Sequence, residues 1–362
     1  MKKTVGLFLL MTLFIVGCSS NTGSNSSSTS NESGGSTSNN NQTDTIELSF
    51  NTWFPTSDPI VDSLSEWEKL VKEKTDGRIV VNSYHANALG TADRILHDVA
   101  GGVYEIGYVS SMLFGDSEMF PYTIANLTFA LPDTQTGTNV MAKFLEKYQE
   151  PQDVEYLGIA VSDPYVLWST KPIRSVEDVK GLNIRAVSEV QVEIVKSWGA
   201  SPVNIPVAEL YEGLQRGTID GAVFSLVGGE SWNYHEVAPY ITTLPISTPS
   251  FIPAMNKSVF DQLPDDLKTL FKDELGPALA QVFSDHYAEY TNISSVNIVE
   301  KTNDRGEIIN LSEDEISQFQ VHTKAIWDSW VEQANAKGFP GDAMMEDFKT
   351  FIVEEGHTLP FE

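Results

Sequence analysis

Arg185 is the residue in this chain best placed to do chemistry. It closes a short apolar strand pattern, Leu182–Arg185, and a second such pattern, Ile219–Phe224, follows two helical segments later. A guanidinium offers a planar fork of donors that matches a carboxylate, and it does not lose its proton. In a closed, drier cleft such a pair contributes more than it does in water. The stretch 181–225 is therefore expected to form one wall of a cleft in which Arg185 receives a carboxylate. The competing reading is a surface arginine bridging one of many acids. Lys171 and Arg174 are nearby cations, but Lys171-Pro172 has the composition of a surface turn.

Other chemistries lack their signatures. The sequence has no Gly-rich phosphate loop, no Gly-x-Ser-x-Gly elbow and no His-Glu-x-x-His motif. The six histidines, His85, His97, His235, His286, His322 and His357, show no paired ligand spacing. No cofactor, no metal and no enzymatic activity are expected. An enzyme would need a titratable pair beside Arg185, for which Glu189 and Asp163 are the nearest candidates. The acidic run at Ser312–Glu315 has the character of a helix N-terminus. The formal net charge of −27 opposes binding to nucleic acid or anionic lipid. It also means that an anion must bind here against an unfavourable global field.

The elements that would position Arg185 follow from periodicity. Ile46, Leu48 and Phe50 alternate as a strand, and Ile60, Leu64, Trp67 and Val71 recur at helical spacing. A strand over Arg78–Tyr84, a helix capped by Thr91 and a strand over Ile106–Val109 complete β-α-β-α-β, which implies a parallel sheet covered by helices. A helix carries Val140, Phe144, Leu145 and Tyr148, and a second β-α-β-like set fills 154–250. From Pro264 a long helical pattern runs past Tyr287, with a kink or break expected at Pro277. That pattern is longer than one lobe needs and would brace two. Asp304-Arg305-Gly306 has the composition of a hairpin turn between extended pieces, and Phe319–Trp330 is expected to be the last helix.

The N-terminus has a separate logic. Lys2 and Lys3, the apolar run Val5–Val16 and Gly17 form a leader too short to span a bilayer, which takes about 20 residues. Cys18, the only cysteine, follows directly. The arrangement resembles a bacterial lipobox, which implies a signal peptide over 1–17 and lipidation of Cys18. The Ser/Asn-rich segment 18–44 is expected to be a disordered tether, leaving the protein extracytoplasmic and lipid-anchored to the outer face of the cell membrane.

An ordered set of segments carries a wider resemblance. It runs through Glu73–Arg78, Leu89-Gly90, Phe120-Pro121, Leu131-Pro132, Lys171–Arg185, Trp198–Val203, Glu209–Gly217, Ile219–Gly221, Asn256 and Leu263-Pro264. Over about residues 45–335 the chain resembles the DctP-type solute-binding proteins of TRAP transporters. The resemblance implies an α/β, two-lobe, type II periplasmic-binding-protein-like fold with hinge strands and a long bracing helix. The expected lobes are 45–163 plus 250–289 and 164–249 plus 290–335, with 336–362 as a C-terminal extension. It also implies a receptor for a small organic acid, closing on its ligand and delivering it to a small and a large membrane subunit. A sensor of the same fold is the alternative.

In that family an arginine at the position of Arg185 pairs with the substrate carboxylate. Tyr165 stands where the sialic-acid branch has a second arginine, and Phe224 where it has an asparagine. Both changes remove strong polar contacts, which favours a smaller, more apolar or aromatic monocarboxylate. Trp53, Phe54, Tyr108, Trp168, Trp232 and Phe251 are the aromatic candidates to complete the pocket, and Ser225 is a candidate donor to the carboxylate. Asp220-Gly221 and Asn256 are expected to be structural.

Overall fold

The computed structural model describes residues 45–150 and 152–361; the expected leader, Cys18 and the tether lie outside them. Twelve strands occur among the described residues. They are β1 (Ile46–Asn51), β2 (Ile79–Tyr84), β3 (Ile106–Ser110), β4 (Val154–Tyr156), β5 (Ala160–Val161), β6 (Tyr165–Ser169), β7 (Asn183–Arg185), β8 (Ser201–Val203), β9 (Gly221–Phe224), β10 (Tyr240–Ser247), β11 (Ser250–Asn256) and β12 (Glu307–Asn310). They form two sheets, one ordered β2-β1-β3-β11-β4 with β5 also on β11, the other β12-β10-β6-β9-β7-β8.

The first three strands pair in parallel, as the β-α-β-α-β pattern requires. The crossovers contain helices Ile60–Lys74, which buries Ile60, Leu64, Trp67 and Val71, and Ile95–Ala100. Thr91 does not cap the latter, which starts after Arg94 without a side-chain cap. Each sheet also holds antiparallel neighbours: β11 beside β3 and β4, and β6 beside β9 and β10. Strands buried on both faces read as continuous apolar runs, and such runs do not encode pairing direction.

The chain passes from the first sheet to the second through Ser162-Asp163-Pro164 and returns through Thr248-Pro249. The Ser162 N–H donates to the Pro249 carbonyl at 3.0 Å, so the two crossings are stitched together. The third connection is the 27-residue helix Gly276–Thr302. At its start Trp67 Nε1 donates to the Leu275 carbonyl at 2.9 Å. Toward its end Ser294 and Asn297 donate to Glu230 at 3.1 and 3.3 Å, and Lys301 pairs with it. Glu230 lies in the short helix Leu226–Ser231 just beyond β9, so one rod touches both lobes. Pro277 sits in the first turn, where no N–H is needed. A π turn, Phe271–Leu275, separates this helix from Asp265–Leu270. A side chain at Gly276 would place Cβ 2.0 Å from the Leu157 carbonyl oxygen, so only glycine allows this approach.

Two expectations near the C-terminus are corrected. Asp304-Arg305-Gly306 does not join two strands: the residues before it are helical through Thr302, and β12 pairs in parallel with β10. Asn303 and Asp304 take left-handed backbone as the helix ends, so the same turn-forming residues serve a different stop. Phe319–Trp330 is split between helices Glu313–Phe319 and Thr323–Ala336, and a further helix, Gly341–Glu354, follows. That last helix packs on Thr134–Tyr148, with Phe348 edge-on to Phe144 at 6.3 Å and Lys143 between Glu354 and Glu355.

Candidate functional site

A cavity of about 550 Å³ lies among the ends of strands from both sheets. Arg185, at the end of β7, is 4% exposed. Its Nε donates to the Ile205 carbonyl at 3.1 Å, and its guanidinium carbon lies 5.4 Å from the centre of the Phe224 ring. Burial lowers its pKa from the ordinary arginine value, so the cation is held against desolvation. Burial also raises the phenols of Tyr165 and Tyr234, and the nearby Arg185 charge partly offsets this. Among the described residues only Nε has a protein acceptor, and no carboxylate pairs with the guanidinium. The arrangement is a fixed, buried cation lying on an aromatic face, with an unmet demand for an anion.

Tyr165, at the start of β6, and Phe224, at the end of β9, stand 5.5 Å apart and line the cavity beside Arg185. The first sheet contributes an aromatic wall. Trp53 follows β1, stacks on Phe54 at 5.4 Å and packs at a tilt on Phe251 of β11 at 5.5 Å; Phe251 in turn stacks on Tyr287 of the long helix at 6.1 Å. Trp53, Phe54, Phe251, Tyr287 and Trp232 all reach the cavity.

Three expected site residues are corrected. Tyr108 is wholly buried behind the wall, stacked on Phe283 at 3.6 Å and Trp53 at 5.0 Å, and supports the lining without joining it. Trp168 is also wholly buried, its Nε1 donating to the Ser225 carbonyl at 3.2 Å. A side chain at Gly229 would put Cβ 2.2 Å from this indole, so the glycine accommodates the ring. Ser225 does line the cavity, but its hydroxyl donates to Asp163 Oδ1 at 2.5 Å and accepts from the Gly228 N–H at 2.8 Å. Its proton is therefore committed away from a ligand. The partner stands 62 positions away, beyond the reach of local pattern.

Asp163 also accepts from the Leu226 and Val227 N–H groups at 2.7 and 3.3 Å, and burial pushes its pKa up to about 6. It ties the first crossing segment to the start of the helix Leu226–Ser231 after β9. Glu189, by contrast, is exposed at the start of its helix. The two acids considered for catalysis are thus in different settings. Asp58 lines the cavity and caps Ile60 at 3.0 Å, with its pKa raised by burial. His286 Nε2 lies 3.3 Å from it without hydrogen-bond direction, and burial draws that histidine down to about 4. Among the described residues no three histidine, cysteine or acidic side chains gather as a metal site.

Tyr287, Ser110 and the 204–209 segment also line the cavity and were not legible in the sequence. Tyr287 falls in the middle of a long helix, where an aromatic reads as core. Asp220 and Asn256 are structural, as expected. Asp220 accepts from the Asn183 N–H at 2.9 Å, and Asn256 caps Val259 at 3.0 Å while donating to the Val99 carbonyl at 2.8 Å.

A family model described as bacterial extracellular solute-binding protein, family 7, matches residues 50–334. The ectoine-binding periplasmic protein TeaA of Halomonas elongata is 24% identical over 291 residues, covering 77% of this chain and 82% of its own. A solved TRAP periplasmic solute-binding protein from Desulfovibrio salexigens is 25% identical with a TM-score of 0.72, covering 85% of this chain and 96% of that one. A marine-metagenome TRAP solute-binding protein specific for aromatic acid ligands is 20% identical with a TM-score of 0.78, covering 86% and 100%.

Proposed function

The chain belongs to the bacterial extracellular solute-binding proteins of family 7, and we propose that it binds an apolar or aromatic monocarboxylate through Arg185 for delivery to a transporter. Its family and relatives are solute-binding proteins of transporters, not enzymes. The observation that carries the ligand reading is Arg185: a buried cation without an acidic partner among the described residues, facing a cavity walled by aromatic rings. Such a charge is costly to keep unless an anion completes it. Phe224 and Tyr165 beside it offer rings where a polyhydroxylated acid would need donors and acceptors. The fold neighbour whose ligands are aromatic acids supports this class.

The rest of the proposal follows from the resemblance. Residues 45–163 plus 250–289 and 164–249 plus 290–335 move as two lobes about the crossings at 162–164 and 248–249, and the ligand closes them. The closed form delivers its acid to a small and a large membrane subunit. Cys18 carries the lipid that keeps the receptor at the outer face of the membrane. Among the described residues no helix is long and apolar enough to cross a membrane.

Calorimetric titration with benzoate and phenylpropionate, each beside its uncharged carboxamide, tests the ligand class. Measurable binding of at least one acid, with its amide weaker by about thirtyfold or more, is expected from loss of a buried charge pair. Equal affinity for acid and amide contradicts the proposal.

A further inference from the structure

One short helix, Leu226–Ser231, borders the cavity. Ser225, which caps it, Gly228 within it and Trp232, which ends it, all line the space. Gly228 also reaches the surround of Arg185. A Cβ there would lie 2.9 Å from the Phe224 ring, and that ring is 5.4 Å from the Arg185 guanidinium carbon. A helix of this length is not stable alone in water, where about 12–15 residues are marginal. Its place is therefore set by what grips it.

The grips lie away from the cavity. Asp163 accepts from the Leu226 and Val227 N–H groups at 2.7 and 3.3 Å. Val227 is buried in the same apolar cluster as Phe283 and Tyr287. Glu230 stands two positions past Gly228, about 200° round the helix axis, and does not line the cavity. Its side chain is 13% exposed. It accepts from Ser294 Oγ at 3.1 Å, Asn297 Nδ2 at 3.3 Å and Lys301 Nζ at 2.5 Å. These three donors follow one another at spacings of three and four residues, so they share one face of the helix Gly276–Thr302. The same long helix supplies Tyr287 to the cavity. Two parts of the lining are thus referenced to one rod: Tyr287 directly, and the Gly228–Trp232 stretch through Glu230.

We infer that Glu230 is a positioning residue for ligand binding: its clasp on Ser294, Asn297 and Lys301 holds the Phe224–Gly228–Trp232 side of the cavity at its working separation from Tyr287. The inference rests on the proposed reading of this cavity as a carboxylate site and adds what sets its width. Glu230 acts through the short helix and touches no ligand. Losing the carboxylate removes all three bonds and leaves Asp163 and Val227 to hold the helix. The fold keeps those anchors, while the cavity wall loses its tie to the rod. Lys301 is half-exposed and supplies one bond of the three. Solvent screens that pair, so losing Lys301 alone does less.

The test titrates phenylpropionate and its carboxamide calorimetrically into the whole wild-type protein, Glu230→Ala and Lys301→Ala, with dissociation followed by stopped-flow fluorescence. In Glu230→Ala the acid is expected to bind about tenfold more weakly, with dissociation faster by a similar factor, because a loosened support shows in the off-rate. The preference for acid over carboxamide should stay within about twofold of wild type, since Arg185 is untouched and independent terms add. Lys301→Ala should weaken the acid by about threefold. A merely structural glutamate would lower the melting temperature and leave both affinity and off-rate in place. A folded Glu230→Ala that binds and releases phenylpropionate as wild type does overturns the inference. So does a loss confined to the acid, which would place the effect on the Arg185 charge. If Glu230→Ala fails to fold, Lys301→Ala decides, and unchanged affinity there overturns the inference. Failure of the Arg185 reading appears instead in wild type, as no binding or equal binding of acid and carboxamide, and takes this inference with it.

Discussion

Arg185 and Asp163 are both buried charges, and their surroundings give them opposite tasks. Asp163 receives three donors from the 225–227 segment, whereas Arg185 has one carbonyl and an aromatic face. In the proposed reading a ligand completes Arg185; Asp163 is complete within the fold. Its folded pKa, about 6, lies above the ordinary 3.8. The sign follows: its protonated form is favoured by folding, so its contribution is fully present below about pH 4 and is lost as pH rises through about 6. Thermal melts of wild type against Asp163→Asn across that window should show wild type gaining relative to the variant on acidification. A difference that is flat or shrinks counts against this assignment. Trp168 belongs to the same scale. Because it fills a slot against Gly229, Trp168→Ala should lower unfolding stability by about 3–5 kcal/mol in urea titration. The change of a lining residue would instead act mainly on affinity.

Individual strands and helices were largely legible, because alternation and 3.6-residue periodicity survive in this sequence. What the pattern left out was how they pair and where ligand-facing residues sit. The β-α-β-like set expected over 154–250 did not show that β10 and β11 run antiparallel to β6 and β3 in different sheets. The direction is set by the crossing at Thr248-Pro249, a tertiary feature. Asp304-Arg305-Gly306 misled because turn residues end helices as readily as they join strands. Arg185, Tyr165 and Phe224 were legible through the resemblance and do come together. Tyr108 and Trp168 were not separable from lining residues, since core and cavity favour the same side chains. Ser225 needed a distant partner to be understood. Asn256 links the helix it caps, Lys257–Gln262, to the end of Ile95–Ala100 through the Val99 carbonyl. Asn256→Ala should cost about 2 kcal/mol, from one cap and one lost bond to a buried carbonyl. Chemical denaturation measures that cost. Ligand affinity more than tenfold weaker would instead make Asn256 part of the binding machinery.

At the scale of the molecule, the chain carries a net charge of −27, and the proposed ligand is an anion. Long-range steering therefore opposes encounter, while the buried guanidinium rewards it at close range. Stopped-flow tryptophan fluorescence should accordingly give an association rate for a carboxylate that rises as salt goes from about 0.01 to about 0.15 M. A rate that falls would mean that a local positive field dominates the approach. The two sheets, the stitched crossings and the helix against both lobes form a frame in which one ligand between the lobes can bias their separation. The central claim is that this ligand is held by its carboxylate at Arg185. Its most direct test is calorimetric titration of wild type and Arg185→Ala with the tightest-binding monocarboxylate found for the wild type, with folding of the variant checked by circular dichroism. A loss of affinity of about thirtyfold or more is the predicted result; a folded Arg185→Ala protein that binds the acid as tightly as wild type would contradict the account.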